Sequence, residues 1–574
     1  MSNAPVRCFD WRWDAAIALL LACLAFAVRL DRLDFNSLSE DESAKWLAVQ
    51  EYRHGHFAGV NSEHPMMPKM LAWASLAVGE RWNRVASRHG GPSMRPEGWL
   101  RLPNVLFGAA TAAILFLFCR QMMGLAGSFA AAFFWAVAPL PIAINRLDKE
   151  ETPVTFFALL GCYLYSRAKL TRTETSTRRW YNLSGITFGL AIASQYLIHL
   201  FGLNALAWHL AGQRGLDHKP TGSRNLLRLF LLLLVALLVA NPLMVSPSSC
   251  ISAFHWLHHA GVRHTGYDFA GRLYPNFAAR LFSGVPWYFY FWLLLVKTPI
   301  PVLVAMILGS IMLLRDRRTL ASCFFCAFGL VQLLALSICG AKWIRYSLPF
   351  LPFLFLAAGY AVQQSWQYAR ERKIALVAVG MAAMILFGWP LVELRAWAPY
   401  YPFYLNAIGG GKSKITRYFA PDEVSEFDTR EVAQEICPTA PSGLRLATAR
   451  PLSMTYYLAN CGRSDIRITP LYDPRYVPRE GDVIVLEPSR RFLETQRFFD
   501  LLPESGTPHR DVHVGPILAS TIYLLEPSSP AQASNQQVIL ARLQQPHRSF
   551  EKDPDNPNWV SAHIALLWRP ELPK

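Results

Sequence analysis

Long apolar runs alternate with short polar loops along the chain as far as Trp397. A helix needs about twenty mostly apolar residues to cross a bilayer, so this pattern predicts a polytopic α-helical membrane protein. Residues 181–212 fit either one long tilted helix or two short helices that meet near Gln195. Counted as two, they bring the predicted spans to about eleven: residues 14–30, 102–122, 125–144, 153–168, 181–197, 198–212, 226–245, 285–314, 319–338, 346–364 and 374–396.

Lys and Arg cluster in alternate loops, and this asymmetry predicts the orientation. If the N-terminus is cytoplasmic, the inside loops contain the basic clusters around Arg178, Arg224, Arg317 and Arg372, and the short outside loops carry fewer basic residues. A single helix over 181–212 would place the cluster at Arg224 outside, so the charges favour two helices. An odd number of spans then places the C-terminal region outside. We therefore predict a multi-pass membrane protein with a cytoplasmic N-terminus.

The composition changes after Trp397. Residues 398–574 lack long apolar runs and alternate short β-rich stretches with helical ones, which is typical of a small α/β domain. The predicted strands are residues 444–449, 466–471, 482–486 and 520–525, and the predicted helices are residues 452–460 and 490–502. The predicted organisation is thus a transmembrane domain, residues 1–397, followed by a soluble periplasmic α/β domain, residues 398–574. Cys437 and Cys461 are the cysteines of the second domain, and they could form a disulfide or stay reduced in its core.

Overall charge and metal-ligand spacing exclude two classes of partner. The chain is 52% hydrophobic and 17% charged, and its formal net charge is +16. Such a charge would suggest nucleic acid in a soluble protein, but these basic residues lie in short loops between apolar runs, so we predict no nucleic-acid partner. No Cys-x-x-Cys spacing recurs, so we predict no structural zinc, and the His-rich loop has no evident carboxylate partner, which argues against a zinc site there. That loop contains His255, His258, His259 and His264.

Two carboxylate-rich stretches lie at predicted outer ends of spans. The first is in the long outside loop, residues 31–101, whose amphipathic patterns are typical of helices that lie along a membrane and roof a cavity. In this loop Asp41 and Glu42 are adjacent. The second stretch, residues 145–151, follows the third apolar segment. Acids held at a membrane surface suit an enzyme that deprotonates a water-soluble acceptor beside a lipid-borne donor.

Several motifs, taken in order, resemble those of the GT-C membrane glycosyltransferases, in particular the protein O-mannosyltransferases and the aminoarabinose transferase of lipid A. They are Asp41-Glu42, Glu63-His64-Pro65, Arg101 to Gly108, Arg146 with Asp148, Leu295 to Pro301, Lys342 to Pro349, and Tyr401 to Gly411. The resemblance covers roughly residues 10–430. It implies a GT-C-like fold, a polyprenyl-phosphate sugar donor, and a lipid, glycan or protein acceptor taken from the outer face.

One departure from the family limits what the resemblance implies. Some relatives carry Lys in the fifth to sixth span, whereas this chain has Gln195, so a donor contact cannot be assigned there. Metal use varies among GT-C enzymes, and the resemblance leaves a divalent cation open.

The chemistry that the resemblance implies needs one base. A polyprenyl phosphate is a stable anion and leaves without a general acid. Neighbouring helical residues point about 100° apart, so only one acid of the pair can face the reacting atom. We predict Asp41 as the base and Glu42 as the residue that orients it or the acceptor; the alternative is an ordinary helix start capped by Ser39. Asp148, with Arg146 beside it, would position the acceptor or a cation, or it lies in a solvated turn.

Cations are the second requirement, because the departing phosphate is negatively charged. Lys297, Lys342 and Arg345 are the predicted phosphate ligands, and the alternative is that they are interfacial anchors. Glu63 and His64 would either shape the roof of the cavity or touch the sugar. We favour the structural role, because a His-Pro step is a good turn starter.

Two other classes of function fit parts of the pattern. A transporter or flippase of a lipid-linked saccharide would need polar residues at mid-membrane depth and broken helices. Apart from Gln195 and Lys297, the predicted spans show little of this. A non-catalytic assembly or sensor protein would bind through the α/β domain, but the acidic motifs argue against it. An inverting glycosyltransferase with a single displacement is the leading hypothesis.

Overall fold

Helices occupy the segments that the apolar pattern predicts as spans. The computed structural model describes residues 11–171, 173–216, 221–251, 266–276, 281–420, 426–473, 475–515, 517–526 and 530–544. The helices up to Trp397 are α1 (Trp11–Leu30), α2 (Glu40–Arg53), α3 (Met66–His89), α4 (Pro96–Arg120), α5 (Leu125–Val137), α6 (Pro139–Asn145), α7 (Glu151–Leu170), α8 (Glu174–Ser194), α9 (His199–Gln213), α10 (Ser223–Ala240), α11 (Phe289–Lys297), α12 (Ile300–Arg315), α13 (Leu320–Ile338), α14 (Leu351–Glu371) and α15 (Leu376–Trp397). The histidines predicted not to bind zinc, His255, His258, His259 and His264, lie outside the described residues.

By length and composition, five of the described helices can cross a membrane, and the bent pair α5 and α6 would make a sixth. The predicted number of about eleven spans stays a prediction. Residues 181–212 form two helices that break at Gln195. The segment predicted as one span at 285–314 is two helices, α11 and α12, because Pro299 offers no N–H and holds Thr298 in an extended conformation.

The bend between α5 and α6 is 56° and has a local cause. Pro139 lacks the N–H that would otherwise bond to the carbonyl of Trp135. The buried guanidinium of Arg29 replaces this bond and donates to the carbonyls of Trp135 and Ala136, each at 3.0 Å. Arg29 also donates to Asn145 Oδ1 at 3.0 Å. These bonds fix the end of α6, where the second acidic stretch begins.

The C-terminal region contains a mixed sheet. Its strands are β3 (Arg445–Thr448), β4 (Arg467–Pro470), β5 (Val483–Leu486), β6 (His509–Val514) and β7 (Ile517–Leu524), after a short hairpin of β1 (Tyr267–Phe269) and β2 (Arg272–Tyr274). The strand order is β4-β3-β5-β7-β6; β3 runs parallel to β4 and β5, and β7 runs antiparallel to β5 and β6. The helices are α16 (Thr429–Ile436), α17 (Pro451–Asn460), α18 (Gln496–Leu501) and α19 (Pro530–Gln544). A disulfide between Cys437 and Cys461 joins the ends of α16 and α17.

Residues 31–95, which we call the roof, pack against this α/β domain. The two share one hydrophobic core, in which Leu38 and Leu76 of the roof meet Val432 and Tyr457. The backbone N–H of Leu38 also donates to the Tyr457 hydroxyl at 2.7 Å. Because apolar burial is the main stabilising term in folding, the roof and the α/β domain form one structural unit. The predicted division into domains at residue 397 stays a prediction.

Candidate active site

The first turn of α2 carries three consecutive acids, Glu40, Asp41 and Glu42. Ser39 is the N-cap, and its hydroxyl and the Glu42 carboxylate form a capping box. Successive side chains in a helix point about 100° apart, so the three carboxylates reach three different surroundings. The turn is therefore a capped helix start, as the structural alternative proposed, and it also brings together the predicted site residues.

Glu42 is fully buried and paired. Its two oxygens lie 2.8 Å from Nε and from a terminal nitrogen of Arg101. They also accept the backbone N–H groups of Ser39 and Asp148, each at 2.9 Å. Burial alone would raise the pKa of Glu42, but the charge and hydrogen bonds of Arg101 outweigh it and lower the pKa to about 2. Glu42 thus joins α2 to α4 and to the second acidic stretch.

Asp148 lies in a loop that neighbouring helices hold from two sides. Asn104 of α4 donates to the backbone carbonyl of Lys149 at 2.7 Å. Lys45 of α2 donates to the Asp148 carbonyl and pairs with Glu150 at 2.8 Å, while its distance to the Asp148 carboxylate is 3.9 Å. Burial raises the pKa of Asp148 to about 7, against the charge of Lys45. Its Oδ2 has no hydrogen-bond partner among the described residues.

Asp41 differs from its neighbours because its carboxylate is accessible. Its side chain is 52% exposed, whereas that of Glu42 is 0% exposed. The ammonium of Lys149 forms an ion pair with Asp41, and a terminal nitrogen of Arg345 lies 3.7 Å away. The loss of part of its hydration would raise the pKa of Asp41, but the charges of Lys149 and Arg345 hold it well below its usual range. Nε of Arg345 lies 3.2 Å from Glu151 at the start of α7.

The other predicted cations bind main-chain carbonyls. Lys297 donates to the carbonyls of Pro402 and Tyr404 at 2.7 and 3.2 Å. Lys342 donates to the carbonyls of Val285, at 2.8 Å, and Cys339. Both side chains are buried, and these bonds hold neighbouring loops together. Their role as phosphate ligands stays a prediction, whereas Arg345 lies 3.7 Å from Asp41.

Arg146 also contacts the backbone. It donates to the carbonyls of Asp31 and Arg32, at 2.6 and 2.8 Å, and its guanidinium lies 5.3 Å from the centre of the Tyr401 ring. These contacts fasten the start of the roof to the end of α6.

Glu63 and His64 lie in the roof, in the turn before α3. Both are partly exposed, and the backbone N–H of His64 donates to the Asn61 carbonyl at 3.2 Å. The ammonium of Lys69 donates to the His64 carbonyl at 3.0 Å and so closes this turn. The contacts agree with a structural role, and contact with the sugar stays a prediction. Among the described residues, no group of three His, Cys, Asp or Glu side chains could hold a metal ion.

Sequence reasoning missed Lys149 and Lys45, which form ion pairs with Asp41 and Glu150. Lys149 follows Asp148 directly and lies within the acidic stretch 145–151, so the only sequence signal for it is its place beside the predicted site. Lys45 is four residues after Asp41 and belongs to the same region of the helix surface, a spacing at which charged side chains interact.

Comparisons with known proteins connect this geometry to a fold. Residues 94–245 match the family model described as dolichyl-phosphate-mannose-protein mannosyltransferase, and residues 279–393 match that of the Alg9-like mannosyltransferase family. No curated protein matches the sequence.

Among solved structures, ArnT from Cupriavidus metallidurans matches with a TM-score of 0.50 and 14% identity, over 88% of this chain and 97% of that one, both in the apo state and bound to undecaprenyl phosphate. The oligosaccharyltransferase from Archaeoglobus fulgidus, tethered to an acceptor peptide, matches with a TM-score of 0.50 and 10% identity, over 83% of this chain and 69% of that one. At such low identity these matches show a shared fold.

Proposed function

We propose that this chain, which has the fold of the GT-C membrane glycosyltransferases, transfers a sugar from a polyprenyl-phosphate donor to an acceptor on the outer face of the bacterial inner membrane. The acceptor is a lipid, a glycan or a protein. The N-terminus is cytoplasmic, and the roof and the α/β domain lie in the periplasm. The reaction is a single displacement that inverts the anomeric carbon.

One observation carries the proposal: Asp41 is an accessible carboxylate beside two cations of different helices or loops. In this reaction the acceptor hydroxyl attacks the anomeric carbon as the C–O bond to the phosphate breaks, and its proton goes to Asp41. Lys149 and Arg345 stabilise the charge that develops on the departing phosphate. The base and the cations that the reaction needs thus lie next to each other.

The low pKa of Asp41 fits this mechanism only when the donor is bound. With no phosphate present, Lys149 and Arg345 direct their charge at Asp41 and weaken it as a base. A bound phosphate shares these cations, so the pKa of Asp41 rises toward the range in which a carboxylate removes protons efficiently. The arrangement therefore couples the strength of the base to the presence of donor.

The test is a transfer assay on detergent-purified protein with a panel of polyprenyl-phosphate sugars. A positioned base contributes about 10²- to 10⁴-fold in rate, so Asp41→Asn should lower turnover by that factor while its thermal midpoint stays close to wild type. The matched control is Glu80→Gln in α3, which alters an exposed ion pair with Arg53 in the same roof. It should leave turnover unchanged.

Two results would overturn the proposal. An Asp41→Asn protein that keeps more than about a tenth of wild-type turnover would exclude Asp41 as the base. A wild-type protein that transfers no sugar from any donor, but moves lipid-linked sugars across reconstituted vesicles, would be the transporter instead.

A further inference from the structure

The third acid of the turn, Glu40, points into the α/β domain. Its Oε1 accepts the backbone N–H of Leu452 at 3.0 Å. Its Oε2 accepts the backbone N–H of Ser453 at 3.0 Å and the Ser453 hydroxyl at 3.1 Å. These donors belong to the first turn of α17, where unpaired N–H groups and the helix dipole favour an anion. A carboxylate of the roof thus caps a helix of the α/β domain.

Glu40 contacts the α/β domain near a point where the strand order of its sheet changes direction. The chain leaves β3 toward β4 on one side, and then returns to form β5 on the other side of β3. In sheets of this kind, such a switch point opens a crevice at the carboxyl ends of the parallel strands. Those ends are Thr448 of β3 and Leu486 of β5. Glu40, in the first turn of α2, contacts the start of α17, the helix that follows Thr448.

Further ionic contacts surround Glu40. Its backbone N–H donates to Glu426 at 2.7 Å. Glu426 forms an ion pair with Arg490, and Nε of Arg450 lies 3.7 Å from it. The charge of Arg490 also helps to lower the pKa of Asp41. The α/β domain therefore holds the turn through Glu426, and the positive charge of Arg490 acts on Asp41, the accessible acid next to Glu40.

We propose that Glu40 is a positioning residue for Asp41, acting through the α/β domain; the inference rests on the proposed function. Glu42 fixes the turn to α4 on one side, through Arg101, and Glu40 fixes it to α17 on the other. With both neighbours held, the direction of the Asp41 carboxylate is set by the backbone of the turn. The α/β domain is then a part of the catalytic apparatus that touches no reacting atom.

The expected effect of losing this contact follows from the geometry. When Glu40 is removed, the turn stays capped by Ser39 and stays bound to Arg101, so α2 still forms. Asp41 loses one of its two supports, and a displacement of about 1 Å at a reacting group can cost on the order of 10²-fold in rate. Glu40→Ala should therefore lower kcat by roughly 10- to 100-fold and leave the KM for the donor within about twofold.

A double-mutant experiment separates positioning from general stability. It compares Glu40→Ala, Asp41→Asn and the double variant in the same transfer assay, with thermal midpoints measured for each. If Glu40 acts through Asp41, the Glu40→Ala substitution should change kcat by less than about twofold once Asp41 is Asn. Glu40→Gln should recover part of the activity, because its amide oxygen can still accept from Ser453. Glu435→Gln, in an exposed pair with Arg510, is the control on the same domain.

The outcomes distinguish this inference from the proposed function. If wild-type protein transfers sugar but Glu40→Ala keeps its kcat, Glu40 does not position the base. If the Glu40→Ala loss is equally large in the Asp41→Asn background, Glu40 acts on something other than Asp41, and the inference is again overturned. If wild-type protein transfers no sugar at all, the proposed function itself fails.

Discussion

The buried pair of Glu42 and Arg101 provides a prediction whose size can be worked out. In Glu42→Gln, one of the two carboxylate oxygens becomes an NH₂ group. Each oxygen accepts from Arg101 and from one backbone N–H, of Ser39 or of Asp148, so the NH₂ group meets two donors in either orientation. The charge of Arg101 also remains buried without its counter-charge.

Two independent estimates give a similar loss in the free energy of unfolding for Glu42→Gln. The pKa of Glu42 falls from 4.5 to about 2 in the folded protein, which corresponds to roughly 3 kcal/mol of stability at neutral pH. Breaking a buried ion pair by removing one partner typically costs about 3–5 kcal/mol. Because the folded-state pKa is depressed, the ionic contribution is fully present above pH 4.5 and is lost as the pH falls through about 2.

The assay is thermal unfolding in detergent, followed by tryptophan fluorescence at one scan rate, at pH 7, 5, 4 and 3. Glu42→Gln should unfold at a clearly lower temperature than wild type at pH 7, and the gap should narrow at pH 3. The Glu80→Gln control, in an exposed pair, should lie within about 0.5 kcal/mol of wild type throughout. A gap that is as wide at pH 3 as at pH 7 would show that the ionised carboxylate of Glu42 is not its source.

Three further predictions address other parts of the structure. Arg345→Ala should raise the KM for the donor more than that for the acceptor, because it removes a cation beside Asp41; steady-state kinetics with each substrate varied would show this. Asp148→Asn should raise the thermal midpoint at pH 8 and not at pH 4, since a folded-state pKa of about 7 means that ionisation of Asp148 costs stability as the pH rises from 3.8 to 7. An outer-compartment reporter fused after Trp397 should be active, and activity only of a cytoplasmic reporter would reverse the orientation.

Much of the helical framework could be predicted from the sequence, because apolar length and period depend on local residues. The break at Pro299 was missed although proline marks it, since the apolar run continues across it. In the C-terminal region, β3, β4 and β5 lie within stretches that the sequence predicts as strands. The helix α16 and the strand β6 were not predicted, because they are short and their positions depend on packing.

The site was harder to predict than the fold, for a physical reason. The sequence shows that a cation such as Lys342 lies near a membrane boundary, but the direction of its ammonium depends on which carbonyls other loops leave unpaired. Lys342 donates to the carbonyl of Val285, which lies 57 residues earlier in the chain. No local sequence pattern predicts that these two residues meet. The same holds for Glu40, whose partners Leu452 and Ser453 lie more than 400 residues away.

The long separation between the roof and its partners has a consequence for biosynthesis. The backbone of Leu38 meets Tyr457 across 419 positions of the chain, and Ser37 meets Phe427 across 390. A ribosome therefore completes the roof's own helices long before it produces the segments that hold their first turn. A nascent or truncated chain that ends before α17 carries Asp41 with the Arg101 support alone, so the proposed sugar transfer should appear late in synthesis, after α17 has emerged.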